Sequence, residues 1–145
     1  MNKKGFTLVE LIAVVAVIAL IIILVTPNIL KSADRSRMKA FESKVTVLEA
    51  AAAVYGQDNY RNIINGVNAN KSGYSKQGEY YTYTIEIREL VPEYISKDID
   101  EGINIGGKMY YVQDPRDTSK YLDDYTMTIR IHESTRKVTA KFNES

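Results

Sequence analysis

The chain has 145 residues, with 19 basic and 18 acidic side chains, a formal net charge of +1 and no cysteine. That length leaves room for one small domain beside an anchor. Interspersed charge offers no basic groove for nucleic acid, and the missing cysteines exclude disulfides, thiol nucleophiles and cysteine-ligated zinc.

Residues 6–25 form an apolar run whose one charge is Glu10, behind a short basic leader with Lys3 and Lys4. As a helix, twenty residues span about 30 Å, the thickness of a bilayer's hydrocarbon core. A carboxylate deep in such a segment costs about 2.5–3.5 kcal/mol, less near an interface, so Glu10 requires a partner or a task. A secretory signal peptide competes for this segment. However, the run is longer than an ordinary signal core, and Ala13, Ala16 and Ala19 recur every third residue without forming a cleavage site. A plain anchor helix explains the hydrophobicity and the lysines, but gives no reason for Gly5 before Phe6 or for Glu10.

The succession Lys4, Gly5, Phe6, Thr7, Leu8, Val9, Glu10, Leu11, Ile12 resembles the processing signal of type IV pilins and type II secretion pseudopilins. The resemblance covers glycine before the cut, phenylalanine after it, glutamate at the fifth mature position and the uninterrupted apolar stretch. It implies that a prepilin peptidase cleaves after Gly5 on the cytoplasmic side and methylates the new amino group on Phe6. It further implies that Glu10 pairs with the amino terminus of a neighbouring subunit in a filament whose core is built from these helices. Two unlike charges, each costly alone in an apolar medium, become tolerable together, and losing one strands the other. Many Gram-negative pilins close a C-terminal loop with a disulfide. That element cannot be carried over here, which leans toward a Gram-positive pilin or a pseudopilin-like head.

Orientation by charge is awkward, because Lys31, Arg35, Arg37 and Lys39 outnumber the two leader lysines. A long following domain translocates largely regardless of charge, and the resemblance implies leader inside and head outside. Pro27 falls where a helix leaving the bilayer would kink. Beyond it, Phe41, Val45, Leu48, Ala52 and Tyr55 recur at helical spacing as a packing face, and Gly56 reads as a stop. The expected elements are a leader at 1–5, a transmembrane and filament-core helix at 6–27 and a head at 28–145. Within the head, 28–55 reads as helix, 56–79 as a loop rich in Asn, Gly, Ser and Lys, and 80–145 as sheet. A continuous helix to residue 55 would extend about 75 Å.

Strand periodicity begins at Tyr80, with Tyr81, Tyr83, Ile85 and Ile87 alternating with Thr82, Thr84, Glu86 and Arg88. Residues 90–95, with a central proline, read as a turn or short helical piece. Further strands are expected at 108–112, at 125–132 with Tyr125, Met127, Ile129 and Ile131 on one side, and at 137–142. The polar connector 133–136 makes the last two a hairpin. The fold class is α+β: a long kinked N-terminal helix, membrane-spanning in its first half, packed on an antiparallel sheet of three to four strands.

Neither a phosphate loop nor a histidine pair is present, and the one histidine, His132, lies on a strand's polar side, so the head is not read as an enzyme. Asp98, Asp100 and Glu101 in one loop, and Asp114, Asp117, Asp123 and Asp124 in another, supply oxygen ligands of the kind calcium takes, though without EF-hand spacing. Acidic loops of this kind are usually just solvated, and no cofactor is expected. Eleven tyrosines without tryptophan read as strand filling.

The resemblance implies a structural subunit of a type IV pilus, or alternatively a pseudopilin of a type II secretion or competence apparatus. Its partners would be copies of itself, other pilins, the prepilin peptidase, the assembly platform protein and the membrane, with no nucleic acid for the head. It would sit in the cytoplasmic membrane before assembly and in a surface filament after it. A monomeric membrane-anchored binding module and an anchored enzyme are the competing classes.

Overall fold

A computed structural model describes residues 7–144, without the side chains of residues 24–28. The chain divides into two compact units, Met1–Met38 and Lys39–Ser145. Helix α1, Leu8–Asp58, is helical without a break across Pro27, so the proline does not end it.

In the first unit every residue of the helix whose burial is described is exposed. Its large apolar side chains from Leu8 to Ile23 are all exposed, from 49% at Val14 to 75% at Val9. In the second unit the same helix becomes two-faced. Phe41, Leu48 and Ala52 are buried, and Val45, Ala51 and Tyr55 pack half-buried against the same core, as the spacing predicts.

Gly56 is buried but is not the stop: the helix continues to Asp58. A Cβ there would stand 2.7 Å from Ile129 Cγ2 and 2.8 Å from Val138 Cγ1. The position is glycine because the helix meets the sheet too closely for any side chain.

The expected loop at 56–79 is a correction. It contains a second helix, α2 at Tyr60–Asn68, burying Ile63, Gly66 and Val67, and an edge strand, β1 at Tyr74–Gln77. The apolar spacing of three and four from Tyr60 to Ile63 and Val67 drives the helix despite the asparagines around it. Gly78, at φ +59°, opens the two-residue turn that joins β1 to β2, Tyr80–Glu86.

Strand β2 ends before Ile87, where the chain turns into a 3-10 turn, Ile87–Leu90, capped reciprocally by Glu86 and Glu89, with Ile87 and Leu90 buried. The strand expected at 108–112 is shorter and lies elsewhere: β4, Lys108–Tyr110, pairs with β3, Ile103–Ile105, in a separate two-stranded sheet. Strands β5, Thr126–His132, and β6, Val138–Asn143, form the expected hairpin.

The main sheet is antiparallel in the order β1-β2-β5-β6. Ile85, Met127, Ile129, Ile131 and Phe142 face the core with Leu48 and Ala52, giving an α+β head. Strand β6 is a free edge, and there the backbone N–H of Phe142 donates to the Glu49 carboxylate at 3.0 Å.

Candidate assembly site

The cleavage and methylation positions, Gly5 and Phe6, lie outside the described residues. The structure begins one residue later, where the sequence Thr7-Leu-Val-Glu10 closes a capping box on α1. Thr7 N–H donates to Glu10 Oε2 at 2.8 Å, the Thr7 hydroxyl donates to the same oxygen at 2.9 Å, and Glu10 N–H donates to Thr7 Oγ1 at 3.3 Å. Helix N-termini leave N–H groups without partners and carry partial positive charge, so the acid satisfies its own helix end. The S/T-x-x-E signature in the sequence was the signal for this, and the apolar run masks it.

Beyond Glu10, no acid or base follows until Lys31. Among the described residues no helix is long and apolar enough to cross a membrane. The described side chains from Leu8 to Ile23 make a stretch of sixteen residues, against the roughly twenty a bilayer requires. The side chain of Pro27 lies among those not described.

In the head, most of the carboxylates that could offer calcium ligands have other partners. Asp98 accepts from Lys44 and, at 2.8 Å, from the N–H of Gln113. Asp114, buried, is held by Arg116 at 2.9 Å, and Arg116 also pairs with Glu144 and stacks 3.4 Å over Phe41. Asp117 accepts from the Ser119 hydroxyl at 2.7 Å, whereas the backbone carbonyl of Asp100 faces Lys97 at 3.4 Å.

Asp123, fully buried, accepts the N–H groups of Tyr111 and Val112, both at 2.9 Å. Asp124 accepts from Tyr110 at 2.7 Å and from Arg88. The tyrosine hydrogen bond, followed by that of the arginine, holds the Asp124 carboxyl below the usual carboxylate range. Among the described residues no three acids or histidines gather to hold a metal ion. Instead, these acids tie the long segment 91–125 to the head.

His132 is half-buried on the outer sheet face. Its Nε2 stands 3.5 Å from Glu79, and its Nδ1 lies 3.3 Å from the N–H of Ser134 in the hairpin turn, which is a structural task. The tyrosines fill the head as their number suggests: Tyr83 stacks on Tyr74 at 4.3 Å and faces Tyr55 at 6.4 Å. Burial, then the hydrogen bond with Tyr74, pushes the Tyr83 hydroxyl's pKa upward.

These features define a class: a structural subunit with a bare apolar helix, an acid at the helix start, and an α+β head lacking a catalytic constellation among the described residues. The family model of the prokaryotic N-terminal methylation motif matches residues 1–26. The chain is similar to the ComG operon protein 3 homolog of Bacillus licheniformis, 30% identical over 77 residues that make up 53% of this chain and 79% of that one. No solved structure matches. The chain belongs to the type IV pilin and pseudopilin family. Membership implies a membrane-anchored precursor, processing by prepilin peptidase and assembly with other pilins.

Proposed function

We propose that the chain is cleaved between Gly5 and Phe6, methylated on Phe6 and polymerised through its N-terminal helix into a type IV pilus at the cell surface. The observation that carries this is Glu10, the one charge in the apolar run 6–25, whose large apolar side chains from Leu8 to Ile23 are all exposed. Bare apolar surface of that extent needs lipid before assembly and neighbouring helices after it. From residue 6 to residue 25 the sequence supplies the length for a span, and Pro27 is positioned for a kink just beyond it. In the isolated chain Glu10 is satisfied by Thr7 and its own helix end. In the filament its carboxylate would meet the amino terminus of a neighbour, fixing the axial register by charge.

Membership leaves room for a second reading, a pseudopilin of a secretion or competence apparatus forming a shorter filament. The likeness to the ComG operon protein 3 homolog supports it. Electron microscopy of sheared cell-surface material, labelled with antibody to the head, tests both. Labelled long filaments support the pilus. Label confined to the cell envelope favours the pseudopilus, and processed protein that never enters a filament overturns assembly altogether.

A further inference from the structure

Strands β5 and β6 give alternate residues to the core, where Met127, Ile129, Ile131 and Phe142 are buried. The register therefore sets the others side by side on the opposite face: Thr128 beside Lys141, and Arg130 beside Thr139. Lys137 follows beside His132, whose N–H bonds to its carbonyl. Cations and hydroxyls thus alternate as a checkerboard, with direct neighbours about 5 Å apart and diagonal ones about 7–8 Å.

Grouping, rather than ion pairing alone, sets this patch apart from the rest of the head. Lys44, Lys76, Arg88, Lys108, Arg116 and Lys120 each pair with a carboxylate. Among the described residues Arg130, Lys137 and Lys141 do not, nor do Lys39, Arg61, Lys71, Lys97 and Arg136; what sets the three apart is that the register gathers them on one sheet face. A groove of about 390 Å³ runs over the patch, lined by Thr128, Arg130, Thr139 and Lys141, with Ala140 and Glu49 at the β6 rim. Glu49 is the unfavourable charge for an anion, and it is already bonded to the Phe142 N–H. Thr82, directly beside Arg130 in the register, is 5% exposed and its hydroxyl has no partner.

Unpaired cations spaced by hydroxyls suit a chain of phosphates spaced by hydrogen-bonding groups. A nucleic acid would need an open aromatic on which to stack its bases. Tyr80, the aromatic on this face, is covered by the Arg130 guanidinium at 4.2 Å and met edge-on by His132 at 5.0 Å. We propose that the outer face of β5 and β6 binds a base-free phosphodiester polymer of the polyol-phosphate type. Arg130, Lys137 and Lys141 take the phosphates, and Thr139 takes a polyol hydroxyl, while the Thr128 hydroxyl is held by the Asn143 amide.

The test uses the full-length, unassembled chain in detergent micelles, so its outcome does not depend on filament formation. The protein is titrated with soluble poly(glycerol phosphate), with single-stranded DNA of equal phosphate number and with polyglutamate, at low and raised salt. The expected result is binding of poly(glycerol phosphate) above both others, weakening as salt rises. The triple variant Arg130→Gln, Lys137→Gln, Lys141→Gln should lose about tenfold or more in affinity. A charge-matched control, Arg61→Gln, Lys71→Gln, Lys97→Gln, should keep it. If the first triple variant melts below the wild type, the single change Lys141→Gln, at an exposed side chain, carries the same comparison with a smaller loss. Tighter binding of DNA, equal binding of polyglutamate, full affinity in the triple variant or no binding of poly(glycerol phosphate) would each overturn the proposal.

Discussion

One helix, α1, serves two regions under opposite rules. From Leu8 to Ile23 its large apolar side chains are all exposed; in the head its Phe41, Leu48 and Ala52 are buried against the sheet. The second pattern is complete within the molecule, because the sheet supplies the missing surface. The first is complete only with something outside the chain. The lesson is that exposure of an apolar stripe, not the stripe itself, marks the region whose partner lies elsewhere.

The sharpest way to break the comparison is to remove the lone acid. Glu10→Val should abolish filaments on the cell surface while leaving the head's melting temperature unchanged; calorimetry beside microscopy separates the two, and normal filaments from this variant would remove Glu10 from assembly. Next in size is Asp123→Ala, which strands two buried N–H groups. It should destabilise the head by about 2–4 kcal/mol, read from chemical denaturation, without altering processing. Gly56→Ala forces a methyl into the contact with Ile129 and Val138 and should cost about 1–3 kcal/mol by the same measurement.

Alkaline pH gives a smaller effect, confined to the head. The folded-state pKa of Tyr83 is raised, so the stabilisation is intact below the unfolded value near 10 and is lost as pH climbs above it. The melting temperature should hold between pH 7 and about pH 9 and fall beyond about pH 10, a fall that Tyr83→Phe should lessen. The smallest effect expected is that of millimolar calcium. With Asp98 and Asp114 bonded to cationic side chains, it should leave the melting temperature where it was, and a clear rise would mean that Asp98, Asp100, Asp114 or Asp117 rearranges to bind the ion.

Periodicity made the head helix and the β5–β6 hairpin legible, since Phe41, Leu48 and Ala52, and Met127, Ile129 and Ile131, alternate as burial demands. It failed at 56–79, where glycine and asparagine suggested a loop. There Gly66 is present because the Tyr74 ring comes within 2.5 Å of where its Cβ would stand, and Gly56 likewise answers to a neighbour far along the chain. Close approach is a tertiary fact, and the one-residue signal for it is identical to that of a turn. The roles of the acids in the segment 91–125 were hidden for a related reason. Asp123 serves backbone N–H groups and Asp114 serves Arg116, and composition alone does not distinguish a carboxylate that ties a loop from one that awaits a cation. At the N-terminus the motif residues were plain, and only the Thr7 to Glu10 capping box went unread.

The Glu49 carboxylate that receives the Phe142 N–H has a meaning for crowded subunits. A bare outer strand is an open invitation for another strand to zip alongside, and wherever many identical heads are held close together that invitation is repeated at every contact. By filling one donor of β6 and placing a negative charge at its margin, Glu49 guards the seam. Ordered stacking of heads can then proceed without the irreversible sheet extension that leads to aggregates.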